Sequence, residues 1–80
     1  MEIELLFFGS IQDVIGKRTE KVTLSSSLSI KEFRVFLEEK YPKLKTQTQF
    51  SMAINMEYAT DEQFIKNDDT VALIPPVSGG

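Results

Sequence analysis

Thr70-Val71-Ala72-Leu73-Ile74-Pro75-Pro76-Val77-Ser78-Gly79-Gly80 is the stretch whose reading decides the fold. Val71 and Leu73 face one way, Ala72 and Ile74 the other. Both faces are apolar, which marks a central strand covered on each side for part of its length. Pro75 and Pro76 fix the path by which the chain leaves that strand. Ser78, Gly79 and Gly80 then form a thin tip ending in a carboxylate, and the two glycines carry no Cβ. If the strand ends near Pro75, the residues beyond it can project roughly 15 Å at about 3.3 Å per residue. The expected division is a body over residues 1–75 and a flexible tail over 76–80.

A central strand needs partners and a cover. Ser29 and Glu32 form an S-x-x-E capping box, and Ile30, Phe33, Leu37 and Tyr41 recur at helical steps, with Phe36 widening the stripe. Pro42 ends the helix near Tyr41. Lys31, Arg34, Glu38, Glu39 and Lys40 fall mostly on its opposite, solvent side. Glu2 to Phe8 predicts a first strand with Ile3, Leu5 and Phe7 on one face. The other face begins charged at Glu2 and Glu4 and ends apolar at Leu6 and Phe8, covered either by the protein's own loops or by a partner.

Between these elements, Ser10 is expected to cap a short helical turn through Ile11, Val14 and Ile15, stopped by Gly16. A second strand would bury Val22 and Leu24 and expose Lys21 and Thr23. Lys43 to Gln49 reads as a polar loop. Phe50, Met52 and Ile54 alternate with polar or small residues in a short strand, which turns at Asn55-Met56-Glu57 into a brief return at Tyr58-Ala59. Thr60 to Ile65 predicts one helical turn pinned by Phe64 and Ile65. Lys66-Asn67-Asp68-Asp69 reads as a surface turn, and its paired aspartates as turn chemistry rather than a cation site. One main helix on a mixed sheet of four to five strands, with the first and last strands side by side, is an α+β, β-grasp (ubiquitin-like) arrangement.

Composition narrows the function. Eighty residues make one domain, and a 41% hydrophobic content with six phenylalanines suits a folded globule. Cysteine and histidine are absent. A disulfide framework, a thiol nucleophile and imidazole acid–base chemistry are therefore excluded, and no metal site is expected. Twelve acidic against nine basic side chains give a net charge of -3, which argues against a nucleic-acid partner and suits a protein partner with a basic surface. No apolar run has the length of a membrane span, and Met1-Glu2-Ile3-Glu4 is strand-like rather than a signal peptide, so a cytoplasmic location is expected. No glycine-rich phosphate loop is present, and no histidine activates the serines.

The remaining chemistry lies in the tail. An α-carboxylate is ionised at neutral pH and a poor electrophile. As a mixed anhydride with AMP it acquires a good leaving group. A thiol, persulfide or amine can then attack a glycyl carbonyl that no side chain obstructs.

Leu5-Leu6-Phe7-Phe8 with Gly16 downstream, Ala53 to Ala59, and above all Val71 to Gly80 resemble the small-subunit family of molybdopterin synthase, a group of ubiquitin-like sulfur carriers. Where that family often has alanine and an arginine–glutamate pair after the first strand, this chain has Gly9, Gln12 and Asp13. The resemblance implies that an adenylating, E1-like enzyme activates Gly80 with ATP and magnesium, no cofactor being bound permanently. A sulfur donor, such as a cysteine desulfurase or rhodanese-like protein, then makes the thiocarboxylate. It further implies docking on the large synthase subunit in a heterotetramer, where two sulfurs delivered in turn convert cyclic pyranopterin monophosphate into a dithiolene. Gly80 would react, Gly79 and Ser78 would give the slender approach, and Val77, Pro76 and Pro75 would position it. Leu6, Phe8 or their neighbour Phe7 would dock on the partner.

Two alternatives stand beside this. The chain could carry sulfur for thiamine or tRNA thiolation, or act as a ubiquitin-like modifier. It could also be a β-grasp interaction module with no covalent role, whose function would survive removal of Gly79 and Gly80.

Overall fold

The computed structural model describes residues 1–46 and 49–76. Its elements are β1 (Glu2–Phe7), α1 (Gly9–Ile15), β2 (Thr19–Thr23), α2 (Ile30–Lys40), a 3₁₀ helix (Pro42–Thr46), β3 (Ser51–Ile54), β4 (Glu57–Tyr58) and β5 (Thr70–Ile74). One sheet runs in the order β2-β1-β5-β3-β4. The two most apolar strands lie side by side in its middle, β1 parallel to β5 with Glu4 opposite Thr70 and Phe7 opposite Leu73. β2 is antiparallel to β1, and β3 antiparallel to β5. This is the β-grasp arrangement.

Alternation decides what each strand buries. Ile3, Leu5 and Phe7 of β1, Val22 of β2, Met52 of β3 and Val71 and Leu73 of β5 are buried beneath α2. The helix answers with Ile30, Phe33 and Leu37, while Phe36 and Tyr41 pack at the margin. Its start is fixed by the expected capping box: Ser29 Oγ accepts from the Glu32 amide at 3.2 Å, and Glu32 Oε1 accepts from the Ser29 amide at 2.9 Å. A cap of this kind is worth about 1 kcal/mol.

Several local expectations are corrected. Phe8, not Ser10, is the N-cap residue of α1, and Ser10 lies inside the helix. The chain turns as soon as β1 ends, because Gly9 takes a left-handed φ of 53°. Gly16 does end the helix, at φ 86°, with its amide donating to the Gln12 carbonyl. Lys43 to Thr46 is not a loop but part of the 3₁₀ helix, which drives Leu44 fully into the core. β4 begins one residue earlier than expected, at Glu57. Thr60 to Ile65 holds a single hydrogen-bonded turn, the Gln63 amide donating to the Thr60 carbonyl, and then an isolated bridge from Phe64 to Ser29. Ile65 is buried there, but Phe64 is exposed. Arg34 is half-buried rather than fully solvent-facing: it donates to the Phe50 carbonyl.

The aspartate pair does turn chemistry. Asp69 accepts from the Lys66 amide at 2.7 Å and from the Asn55 side chain at 2.9 Å, and Asp68 takes a φ of 69°.

Candidate functional site

The site is built from the end of β5 and the sheet face turned away from α2. Pairing fixes the composition of that face. In one row across the sheet stand Thr19, Leu6, Ala72, Ala53 and Tyr58. Towards the C-terminal end of β5 come Phe8 and Ile74, with Ser51 opposite Ile74. Towards the other end come Lys21, Glu4 and Thr70, then Glu2 and Thr23. The face is thus apolar at the end where β5 leaves the sheet and charged at the far end. Phe8 is 46% exposed and Tyr58 71% exposed, whereas Ala72 and Ala53 are buried.

Of the three side chains expected to dock, two lie on the outer face and one does not. Leu6 is half-buried and Phe8 exposed, both on the outer face. Phe7 is 2% exposed and packs edge to face on Tyr41, with ring centroids 5.9 Å apart. It belongs to the core, because strand parity turns it towards α2. Ile74 and Tyr58 complete the apolar end of the face, beyond the residues that sequence reasoning proposes for docking. Ile74 is visible in the sequence as the second apolar position on β5's outer side. Tyr58 is not, since its facing depends on where the β3–β4 turn falls.

The exit itself is shaped by a close approach. Continuing the β1–β5 register beyond Phe7 and Leu73 brings Gly9 opposite Pro75. A Cβ on Gly9 would lie 2.9 Å from Pro75 Cγ, so only glycine fits without a shift. Phe8 donates its amide to the Leu73 carbonyl at 3.2 Å. Proline has no N–H to extend the ladder, so the sheet closes there and Pro75 stays half-buried against the corner. Pro76 is exposed. The expected tail positions Val77, Ser78, Gly79 and Gly80 lie outside the described residues.

Other surface features have the character of a folded polar surface. A hollow of about 260 Å³ lined by Glu2, Glu4, Lys21 and Asp68 sits at the end of the sheet away from Pro75. Among the described residues no group of histidine, cysteine, aspartate or glutamate could hold a metal ion, and no helix is long and apolar enough to cross a membrane.

The model of the ThiS family matches residues 5–80, from β1 to the last residue of the chain. The chain belongs to the ThiS family. A relative in Caenorhabditis briggsae, a molybdopterin synthase sulfur carrier subunit, is 35% identical over 83 residues, an alignment covering 100% of this chain and 99% of the relative. Among solved structures, SAMP1 from Haloferax volcanii matches with a TM-score of 0.84 at 25% identity, with complete coverage of both chains. A chain in the complex of subunits 1 and 2 of the molybdopterin-converting factor from Helicobacter pylori matches with a TM-score of 0.72 at 29% identity, again over the full length of both. Membership in the ThiS family and the β-grasp fold therefore rest on independent likenesses of sequence and structure.

Proposed function

We propose that this chain is the sulfur carrier subunit of a molybdopterin synthase, with Gly80 as the residue that carries the sulfur. The observation that carries this reading is the placement of two features at one end of the sheet. The apolar half of the outer face, Leu6, Phe8, Ile74 and Tyr58, lies beside the point where Pro75 and Pro76 lead the chain away. A partner that grips this face has the tail delivered to it by the same contact. Likeness to the Caenorhabditis briggsae sulfur carrier and to a chain of the Helicobacter pylori complex supports the same reading.

The chemistry follows from the carboxylate. A carboxylate oxygen of Gly80 attacks the α-phosphate of ATP, with magnesium held by an E1-like activating enzyme, and displaces pyrophosphate. The outer sulfur of a donor's persulfide attacks the acyl adenylate and displaces AMP, leaving an acyl disulfide. A second thiolate attacks the donor's sulfur, takes it into a disulfide and releases the thiocarboxylate of Gly80. The charged carrier docks in the cytoplasm on the large subunit, where its sulfur bonds to a carbon of cyclic pyranopterin monophosphate; water then hydrolyses the resulting thioester, leaving the sulfur on the pterin and returning Gly80 to a carboxylate. Gly79 and Ser78 keep the approach narrow, and Val77 continues it from the two prolines. In this reading the body's work is to dock and aim.

The experiment is intact mass spectrometry of the protein purified from its own cells, with fragmentation of the C-terminal peptide. Oxygen exchanged for sulfur at Gly80 is the expected result, followed by conversion of the pterin precursor when the large subunit is added. An unmodified carboxylate that persists after incubation with ATP, activating enzyme and sulfur donor overturns the reading. Gly80 found in amide linkage to lysines, without thiocarboxylate, would make the chain a protein modifier instead.

A further inference from the structure

We infer that the open edge of β2 is a docking edge for an extended, acidic segment of a partner protein, which joins the sheet as a further strand and seats an apolar side chain between β2 and α2. The inference stands whether or not the chain carries sulfur. β2 is the outermost strand of the sheet, and among the described residues no strand pairs with its outer side. Its backbone alternates between bonding to β1 and facing out. Met1 and Leu24 exchange both backbone hydrogen bonds, at 2.8 and 2.7 Å, and the Phe7 amide donates to the Arg18 carbonyl at 2.8 Å. In the β1–β2 register, Leu24, Val22, Glu20 and Arg18 therefore bond to β1. Thr19, Lys21 and Thr23, all exposed, turn their N–H and C=O groups to the open side. A row of this kind is a ready template for another strand.

Beside that row is a place for a side chain. A hollow of about 330 Å³ is lined by Leu24, Leu28 and Phe36, and by Thr23, Ser25 and Ser26. Leu28 and Phe36 are half-buried, packed on the core yet still partly open. Towards the other end of β2, strand and helix are bridged by Glu20, whose carboxylate lies 3.6 Å from Lys40 of α2 and 3.5 Å from Lys17. Side chains on an added strand alternate as they do on β2. Those aligned with Val22 and Leu24 point to the α2 side, where the hollow takes an apolar group. Those aligned with Lys21 share its side of the sheet.

Charge decides between occupants. The chain has a net charge of -3, yet this edge gathers Lys17, Arg18 and Lys21, and its carboxylate, Glu20, is already shared by two lysines. Among the described residues Lys21 enters no ion pair, although Glu4 stands opposite it on β1. A second copy is disfavoured. The two-fold antiparallel register that uses all of Thr19, Lys21 and Thr23 sets Lys21 against its own counterpart, and like charges directly opposite destabilise a pair. A strand with aspartate or glutamate at that place gains instead. β2 stands two places from β5, so such a segment leaves Phe8, Ile74 and the exit at Pro75 open.

The probe is a blocked peptide of about seven residues, near the usual strand length, in which valine or leucine alternates with aspartate. Titrated into the whole isotope-labelled chain and followed by NMR, it should bind more tightly than about 1 mM. The amides of Thr19, Lys21 and Thr23 should shift, together with the methyls of Leu24 and Leu28. A peptide with lysine in place of aspartate should bind at least about fivefold more weakly, as should the aspartate peptide to Lys21→Glu. Thr23→Pro tests the backbone. The Thr23 N–H points away from β1, so the ladder inside the sheet survives and the melting temperature should hold within a few degrees, while peptide affinity falls about tenfold or more. Absence of saturable shifts up to about 1 mM peptide, shifts confined to the outer face around Phe8 and Tyr58, or undiminished binding by Lys21→Glu or Thr23→Pro overturns the proposal. So does a concentration-dependent shift of the same edge amides without peptide, with sedimentation as a dimer, because the occupant is then a second copy. If Thr23→Pro fails to fold, Lys21→Glu and the charge-swapped peptide decide the matter on a folded chain.

Discussion

The guanidinium of Arg34 lies over the ring of Phe50, 4.5 Å from its centroid, while Nη1 donates to the Phe50 carbonyl at 2.8 Å. One side chain of α2 thus clamps the strand entry that follows the 3₁₀ helix, by a cation–π contact and a charged hydrogen bond together. Arg34→Ala is expected to lower stability by about 1–2 kcal/mol, because it removes both and leaves the carbonyl to find water. Arg34→Lys should recover only part of this, since an ammonium lacks the planar stacking face. Urea unfolding of the three proteins measures it; an unchanged midpoint for Arg34→Ala would show that the clamp contributes nothing.

Tyr41 caps the C-terminal end of α2 with its ring perpendicular to that of Phe7, and its hydroxyl is buried with no hydrogen-bond partner among the described residues. A buried hydroxyl without a partner costs about 1–3 kcal/mol. Tyr41→Phe keeps the aromatic contact and deletes the orphan, so its thermal midpoint should equal or exceed that of the natural protein. Tyr41→Ala should lose about 3–5 kcal/mol, the range for a large aromatic side chain cut back at a core margin. A Tyr41→Phe protein that melts several degrees lower would show that the hydroxyl has a partner.

The β3–β4 turn holds Asn55 at φ 50° and Met56 at φ 73°, the pattern that favours Asn-Gly. Met56 is 95% exposed, so its side chain contributes nothing to the core. Met56→Gly should relieve about 1–2 kcal/mol of left-handed backbone strain, less the roughly 0.4–1 kcal/mol of entropy that glycine adds to the unfolded chain. The thermal midpoint should rise by a few degrees, given that about 1 kcal/mol shifts a domain of this size by about 4–8 °C. A fall on calorimetry would place Met56 in a contact that stabilises the fold.

Much of this architecture is legible in the sequence because period and parity follow directly from residue order. Ile3, Leu5 and Phe7 announce their face, Ser29 and Glu32 announce the start of α2, and the doubly apolar Val71 to Ile74 announces the central strand. Features that depend on distant residues are not legible. Phe7 stands among the docking candidates because apolar residues on consecutive positions of a strand hide its parity until its neighbours are known. Arg34 reads as solvent-facing because Phe50, its partner, lies beyond a stretch whose path the sequence does not reveal. Leu44 stands alone among polar residues, with no period to betray that it plugs the core. Gly9 reads as a strand end, and its meeting with Pro75 requires knowing that β1 and β5 are parallel neighbours.

The last prediction concerns Phe8, which occupies two roles that conflict. It is the N-cap residue of α1, with the extended backbone (φ -118°, ψ 154°) that suits capping, yet its side chain makes no capping hydrogen bond. Aspartate there can accept from the first amides of the helix and add about 0.5–2 kcal/mol. A phenylalanine at 46% exposure forgoes that gain and leaves apolar surface in water. The arrangement is explained if the ring serves a partner at the outer face proposed above for docking. Phe8→Asp should therefore leave the carrier folded, with an equal or higher melting temperature. Its affinity for the large subunit should fall by about 2 kcal/mol or more, roughly thirtyfold, as for an aromatic anchor lost from an interface. Titration calorimetry and a melting curve on one preparation decide the matter. Unchanged affinity would remove Phe8 from the docking face, and a collapsed melting temperature would make it a structural residue of the β1–α1 corner.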